Sequence, residues 1–175
     1  SLAVMGEATE MDLVTAHRGG TIGWTHVTGK PAHSSQPDKG VNAIHYAALF
    51  INRLMEIGES LKETAGPDTM RYSPPWTTVQ VGQIAGGLAR NVIARNCCVD
   101  WEMRPVRAGD SEMVKREMQD YCDRILLPRM RQVSLDADIL TEVIGEVAGL
   151  AVLDDNEARD IVTALTGANA RDVVP

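Results

Sequence analysis

The run Asn91-Val92-Ile93-Ala94-Arg95-Asn96-Cys97-Cys98-Val99-Asp100-Trp101-Glu102-Met103-Arg104-Pro105-Val106 decides the fold. Ile93, Cys97, Val99, Trp101 and Met103 share one parity; Cys98, Asp100, Glu102 and Arg104 share the other. Successive side chains on a strand project to opposite faces. The run therefore predicts a strand over 91–106 in a sheet covered by helices on one side and open on the other.

Working outward toward the N-terminus, Ala85-Gly86-Gly87 turns the chain, and 77–84 reads as a strand with Val79 and Val81 on one face. Gly66, Pro67, Pro74 and Pro75 mark 64–76 as a loop. Before it, Asn42 is a suitable N-cap for a helix over 42–61. Ile44, Ala47, Ala48, Ile51, Leu54 and Met55 recur there at three and four residues and form one apolar stripe. A strand over 21–28 precedes that helix, after the turn Arg18-Gly19-Gly20 and a short strand candidate over 12–17. On the other side, a second helix starts near Asp110 or Ser111, buries Val114, Met118, Tyr121, Cys122 and Ile125, and stops before Pro128. Val133, Leu135, Ala137 and Ile139 alternate with polar residues as a last strand.

The order from 21 to 139 is thus β-α-β-β-α-β, the ferredoxin-like α+β arrangement. It predicts a four-stranded antiparallel sheet, both helices on one face, with 77–84 and 133–140 as edge strands. The ends do not fit this unit. Residues 2–5 read as a short strand, 155–166 as a helix stopped by Gly167, and Val173-Val174-Pro175 as an apolar run. The expected division is a remnant of another domain over 1–17, the sheet-and-helix domain over 18–142, and the start of a returning segment over 143–175.

Hydrophobic residues make up 44% of the 175, enough for a packed core, and the formal charge is −7. An acidic chain without a basic stripe argues against nucleic acid as its main partner. Cys97 and Cys98 are strand neighbours and poorly placed to pair, and no Cys-x-x-Cys motif exists. Free thiols, no basic leader and no membrane-length apolar run lead to the expectation of a cytoplasmic protein without a membrane partner.

One histidine stands apart. Pro31 and Pro37 bracket His33 in a loop between the strand over 21–28 and the helix over 42–61, stiff enough to hold a donor in place. His17, His26 and His45 have no such setting. Gly82, Gly86 and Gly87 do not form a phosphate loop, because no Lys-Ser/Thr follows. Asp100 and Glu102 lie on one exposed strand face and read as solvated.

Three stretches in order carry a resemblance: Gly6-Glu7-Ala8-Thr9; residues 29–44; and Gly86-Gly87-Leu88-Ala89-Arg90-Asn91-Val92-Ile93-Ala94 followed by Val99-Asp100-Trp101-Glu102-Met103-Arg104-Pro105. The chain resembles the lid, or dimerisation, domain of the dizinc aminoacylase family. That family includes acetylornithine deacetylases, succinyl-diaminopimelate desuccinylases and zinc glutamate carboxypeptidases, and the likeness is closest to the first. The resemblance implies that Glu7 is a zinc ligand, although Ala8 replaces the family's usual proline. It implies that His33 stabilises the oxyanion in the partner subunit's site. It implies that Arg104 grips a substrate carboxylate, with Asn91 beside it. The alternative for Arg104 is a surface ion pair with Asp100 or Glu102. Asn91 and Arg104 differ in parity, so they can serve one site only if Asn91 belongs to the turn or a bulge intervenes.

The family's His-x-Asp motif, bridging aspartate, Glu-Glu pair and late histidine have no matching positions here. The expectation is a piece of a zinc-dependent amidohydrolase that removes an acyl group from an N-acyl amino acid, homodimeric through its lid. Two zinc ions, or cobalt, would serve the whole enzyme; this chain alone would be inactive and bind zinc weakly. Desuccinylase, carboxypeptidase and a purely associative lid, pairing through 77–84, are the alternatives.

Overall fold

Strands with one apolar parity and helices with one apolar stripe can bury both only by stacking. The computed structural model describes residues 3, 4, 6, 12–150, 153 and 155–171. Its elements are β1 (Leu13–Val14), β2 (Gly20–Thr28), α1 (Ala43–Leu61), β3 (Thr78–Gly86), β4 (Asn96–Arg104), α2 (Asp110–Tyr121), α3 (Leu127–Arg131), β5 (Asp138–Val147), α4 (Glu157–Thr166) and β6 (Ala170–Arg171). The four long strands pair in the order β3-β4-β2-β5, each neighbour antiparallel. This is the expected ferredoxin-like topology.

The core lies between the sheet and the helices. Cys97, Val99, Trp101 and Met103 of β4 are buried against Phe50, Leu54 and Ile57 of α1 and Val114 and Met118 of α2. Cys98, Asp100 and Glu102 are half-buried and Arg104 is exposed, as the parity predicts. Trp101 brings a polar atom into this core, and β2 accommodates it in two ways. The indole N–H donates to Thr25 Oγ1 at 3.1 Å, and the Thr25 and Thr141 hydroxyls share a 2.9 Å bond. Gly23 leaves the space the ring occupies, because a Cβ there would overlap Trp101.

Four sequence expectations need correction. α1 turns Ala43, Ala47, Phe50, Leu54 and Ile57 to the core, so Ile44, Ala48 and Met55 of the expected stripe are exposed. The second helix does not stop before Pro128. A π turn over Cys122–Leu126 carries it into α3, where Pro128 sits in the first turn and its missing N–H costs little. The π turn also moves the buried stripe. Val114, Met118, Cys122, Leu126 and Met130 are all buried, while Ile125 is 38% exposed. A strict four-residue repeat drifts by about 40° per step on an α-helix; the wider π turn takes up that drift and keeps the series on the core side.

The last strand is β5, not 133–140. Val133 and Leu135 lie in turns held by Ser134 N–H to Met130 O and Ala137 N–H to Ser134 O. β2 needs a partner along its whole length, and β5 supplies it from Asp138 opposite Thr28 to Val147 opposite Gly20. The sheet therefore runs past the expected boundary at 142. Finally, β4 covers 96–104 rather than 91–106, and the residues before it form a loop. Ile93 is still buried, but within that loop.

The end segments pair with each other. β1 and β6 form a separate parallel pair, and His17 bridges Leu150. In α4, Asn156 caps the Arg159 N–H and Gly167 ends the helix in a left-handed conformation. Of the expected strand over 2–5, residues 3 and 4 are described and lie in no strand; the rest of it, like all of 173–175, lies outside the described residues. No described helix is long and apolar enough to cross a membrane.

Candidate functional site

β2 leaves the sheet at Thr28 and the chain must turn at once toward α1. Reciprocal hydrogen bonds at 2.9 Å between Lys30 and Val41 pin the base of the loop. Gly29 permits this approach, because a Cβ there would collide with the Val41 carbonyl. Asn42 then caps α1, its Oδ1 accepting the Ile44 N–H at 3.0 Å. Residues 31–40 thus form a closed loop with fixed ends, and His33 lies on it.

A second loop braces the first. The Ser34 N–H donates to Asn91 O at 3.0 Å, and the Ile93 N–H donates to Ala32 O at 2.9 Å. His33 and Val92 form an isolated antiparallel bridge. The backbone on both sides of His33 is therefore zipped to the segment that precedes β4. The imidazole itself is exposed. Its Nδ1 lies 2.7 Å from Ser35 Oγ and receives the Ser35 N–H at 3.2 Å.

His33 and Asn91 are brought together by this pairing. Asn91 sits in a turn, not on the strand, so parity no longer separates it from other site residues. Length separates it from Arg104. That arginine is the last residue of β4, at the opposite end of the sheet. Nine residues of strand span about 27 Å at about 3.4 Å per step. There Arg104 bonds Glu102 at 2.9 Å, with the two side chains 52% and 44% exposed. An exposed pair of this kind is worth at most about 1 kcal/mol, so the guanidinium is easily recruited by another carboxylate.

The Arg104 end is also where the chain enters and leaves the sheet. The Gly19 N–H donates to Pro105 O, and His17 and Leu150 exchange two backbone bonds. Arg18, which the sequence reading passed over, stands here. It donates to Pro74 O at 2.6 Å and lies over the Tyr72 ring at 6.0 Å. Burial, with a further push from Arg104, holds its pKa below the ordinary arginine value. Two neighbouring guanidinium groups favour an anion at this end. Ser35 was likewise missed. Its signal was present in the spacing, because a serine two residues after a loop histidine can fold back onto it.

Glu7 lies outside the described residues. Among the described residues no group of three or more His, Cys, Asp or Glu is placed to hold a metal ion, so those residues by themselves do not make a zinc site. All three cysteines are free of disulfides, and burial raises the Cys122 thiol to about 12.

With this geometry in place, comparisons are informative. A family model described as a peptidase dimerisation domain matches residues 15–130. An acetylornithine deacetylase from Myxococcus xanthus is 32% identical over 152 residues, which is 83% of this chain and 39% of that protein. Another, from Photorhabdus laumondii, is 28% identical over 171 residues, 98% of this chain and 43% of that protein. The chain therefore spans less than half the length of these curated relatives. Among solved structures, a tripeptidase from Staphylococcus aureus superposes with a TM-score of 0.62 at 21% identity, over 93% of this chain and 39% of that one. A hydantoinase/carbamoylase family amidase from Burkholderia ambifaria gives 0.63 at 15% identity, over 97% of this chain and 39% of that one. At these identities the structures speak for the fold.

Proposed function

From the premise that this chain belongs to the peptidase dimerisation domain family, we propose that it is the lid of a homodimeric, zinc-dependent amidohydrolase of the acetylornithine deacetylase kind. The whole enzyme removes an acyl group from an N-acyl amino acid. Glu7 would supply one ligand of the zinc site. A metal held there would supply Lewis-acid activation of a water and a carbonyl. Three unpaired thiols suit a reducing, cytoplasmic setting.

One observation carries the reading. His33 is an exposed ring on a braced loop, at the end of the sheet remote from the points where the chain enters and leaves it. A group so placed faces away from its own flanking segments, so it serves the partner subunit's site. There its N–H meets the oxyanion as charge develops, with Asn91 alongside. Arg104, at the entry end, holds the substrate carboxylate in its own subunit's site. The free edge of β3 is the surface on which two lids can pair. In the full-length enzyme, His33→Ala lowers kcat by about 10²–10³ and leaves KM nearly unchanged. An unaltered kcat refutes the oxyanion reading.

A further inference from the structure

We infer that Ser35 is a positioning residue for His33, fixing the neutral imidazole with its proton on Nε2. The consequence for rate rests on the oxyanion reading above; the tautomer itself does not. The Ser35 N–H can only donate, and it points at Nδ1 from 3.2 Å. A ring carrying its proton on Nδ1 would set N–H against N–H, so Nδ1 is the acceptor. Ser35 Oγ, 2.7 Å from the same nitrogen, then turns its hydroxyl to donate as well. With Nδ1 occupied, the proton of the neutral ring belongs to Nε2.

The loop enforces this arrangement. The Gln36 N–H donates to His33 O at 2.9 Å, closing the turn that folds Ser35 back under the ring. The Ser34 N–H is engaged with Asn91 O, so the turn cannot swing away without breaking the brace. An exposed imidazole without such partners exchanges between tautomers and rotamers. Held by Ser35, it presents Nε2–H outward as a donor. The other tautomer would offer a lone pair to a developing negative charge and repel it.

The test is nitrogen-15 NMR of the histidine side chains of this chain, at a pH where the rings are neutral, for wild type, Ser35→Thr, Ser35→Ala and Ser35→Pro. Wild type and Ser35→Thr are expected to show the Nε2–H form alone for His33. Ser35→Ala, which keeps the backbone donor, shows a measurable Nδ1–H fraction; Ser35→Pro, which removes both donors, shows a larger one. In the full-length enzyme, Ser35→Ala lowers kcat about fivefold at unchanged KM, and Ser35→Thr restores it. A wild-type ring protonated on Nδ1, or a tautomer ratio that Ser35→Pro leaves untouched, overturns the inference. An unaffected kcat in His33→Ala would sink the oxyanion reading alone, because the NMR result stands apart from it.

Discussion

Placing His33 and Arg104 at opposite ends of one sheet makes a prediction about mixed dimers of the full-length enzyme. β2 runs the length of that sheet, with Thr21 opposite Met103, next to Arg104, at one end and Thr28 opposite Asn96 at the other. About 27 Å of strand separates the ends, and an arginine side chain reaches only about a quarter of that. One lid therefore cannot place both groups on one substrate. If His33 acts on the partner's site and Arg104 on its own, each site draws Arg104 from one subunit and His33 from the other. Consider a dimer of one His33→Ala subunit and one Arg104→Ala subunit. The first subunit's site keeps its own Arg104 and receives the intact His33 of the second. The other site lacks both. Each homodimeric variant should fall about 10²-fold or more, yet the hybrid should recover about half the wild-type activity by the symmetry of a twofold dimer. The two subunits can be coexpressed with different affinity tags and the hybrid isolated through both. A hybrid as impaired as its parents refutes the division. That result would mean that both groups act from one lid.

Two further outcomes follow from the core. Gly23→Ala puts a methyl group into the space of the Trp101 ring, which is 2% exposed and packed on all sides. It should destabilise the chain by about 1–3 kcal/mol in urea unfolding, whereas Gly82→Ala, with open space around it, should not. Cys122 gives a pH dependence. Its thiol is raised from 9.0 to about 12 by burial. The folded state thus holds that proton more tightly than the unfolded chain, so its contribution is fully present below pH 9 and is lost as pH rises toward about 12. Cys122→Ala should flatten the alkaline decline of stability measured by denaturant unfolding across that range. An unchanged decline would contradict it.

The fold was legible where sequence period and final environment agree. β4 could be read because one apolar parity runs without interruption from Cys97 to Met103 and the structure covers that face alone. α1 could be read because Asn42 is both a local cap signal and the actual cap. The errors share one cause: tertiary contacts overrode a local pattern. Residues 133–139 alternate as a strand should, but the length of β2 and its register with β5 place the partner later, and the alternating residues fall in turns. Pro128 is a stop signal on an α-helix, but a π turn ahead of it converts its position into a new first turn. Nothing in the composition of 122–126 announces that turn; it follows from keeping Leu126 and Met130 on the buried side.

The site divides along the same line. His33 was recognisable because its constraint is local, two prolines around one ring. Its neighbour Asn91 lies on a different loop, and only the backbone pairing of Ser34 with Asn91 and Ala32 with Ile93 unites them. Sequence parity framed the relation of Asn91 to Arg104 as a question of faces, whereas the sheet makes it a question of length. The sheet is also what makes a separation of this size useful. Three antiparallel ladders and a covered core resist bending far better than a single helix or linker would. A rigid strut can hold a donor at one end and an anion grip at the other in fixed relation. On this reading the buried Trp101, bonded to Thr25 and fitted against Gly23, matters to catalysis only through stiffness. Damage there should therefore reach both ends of the lid alike.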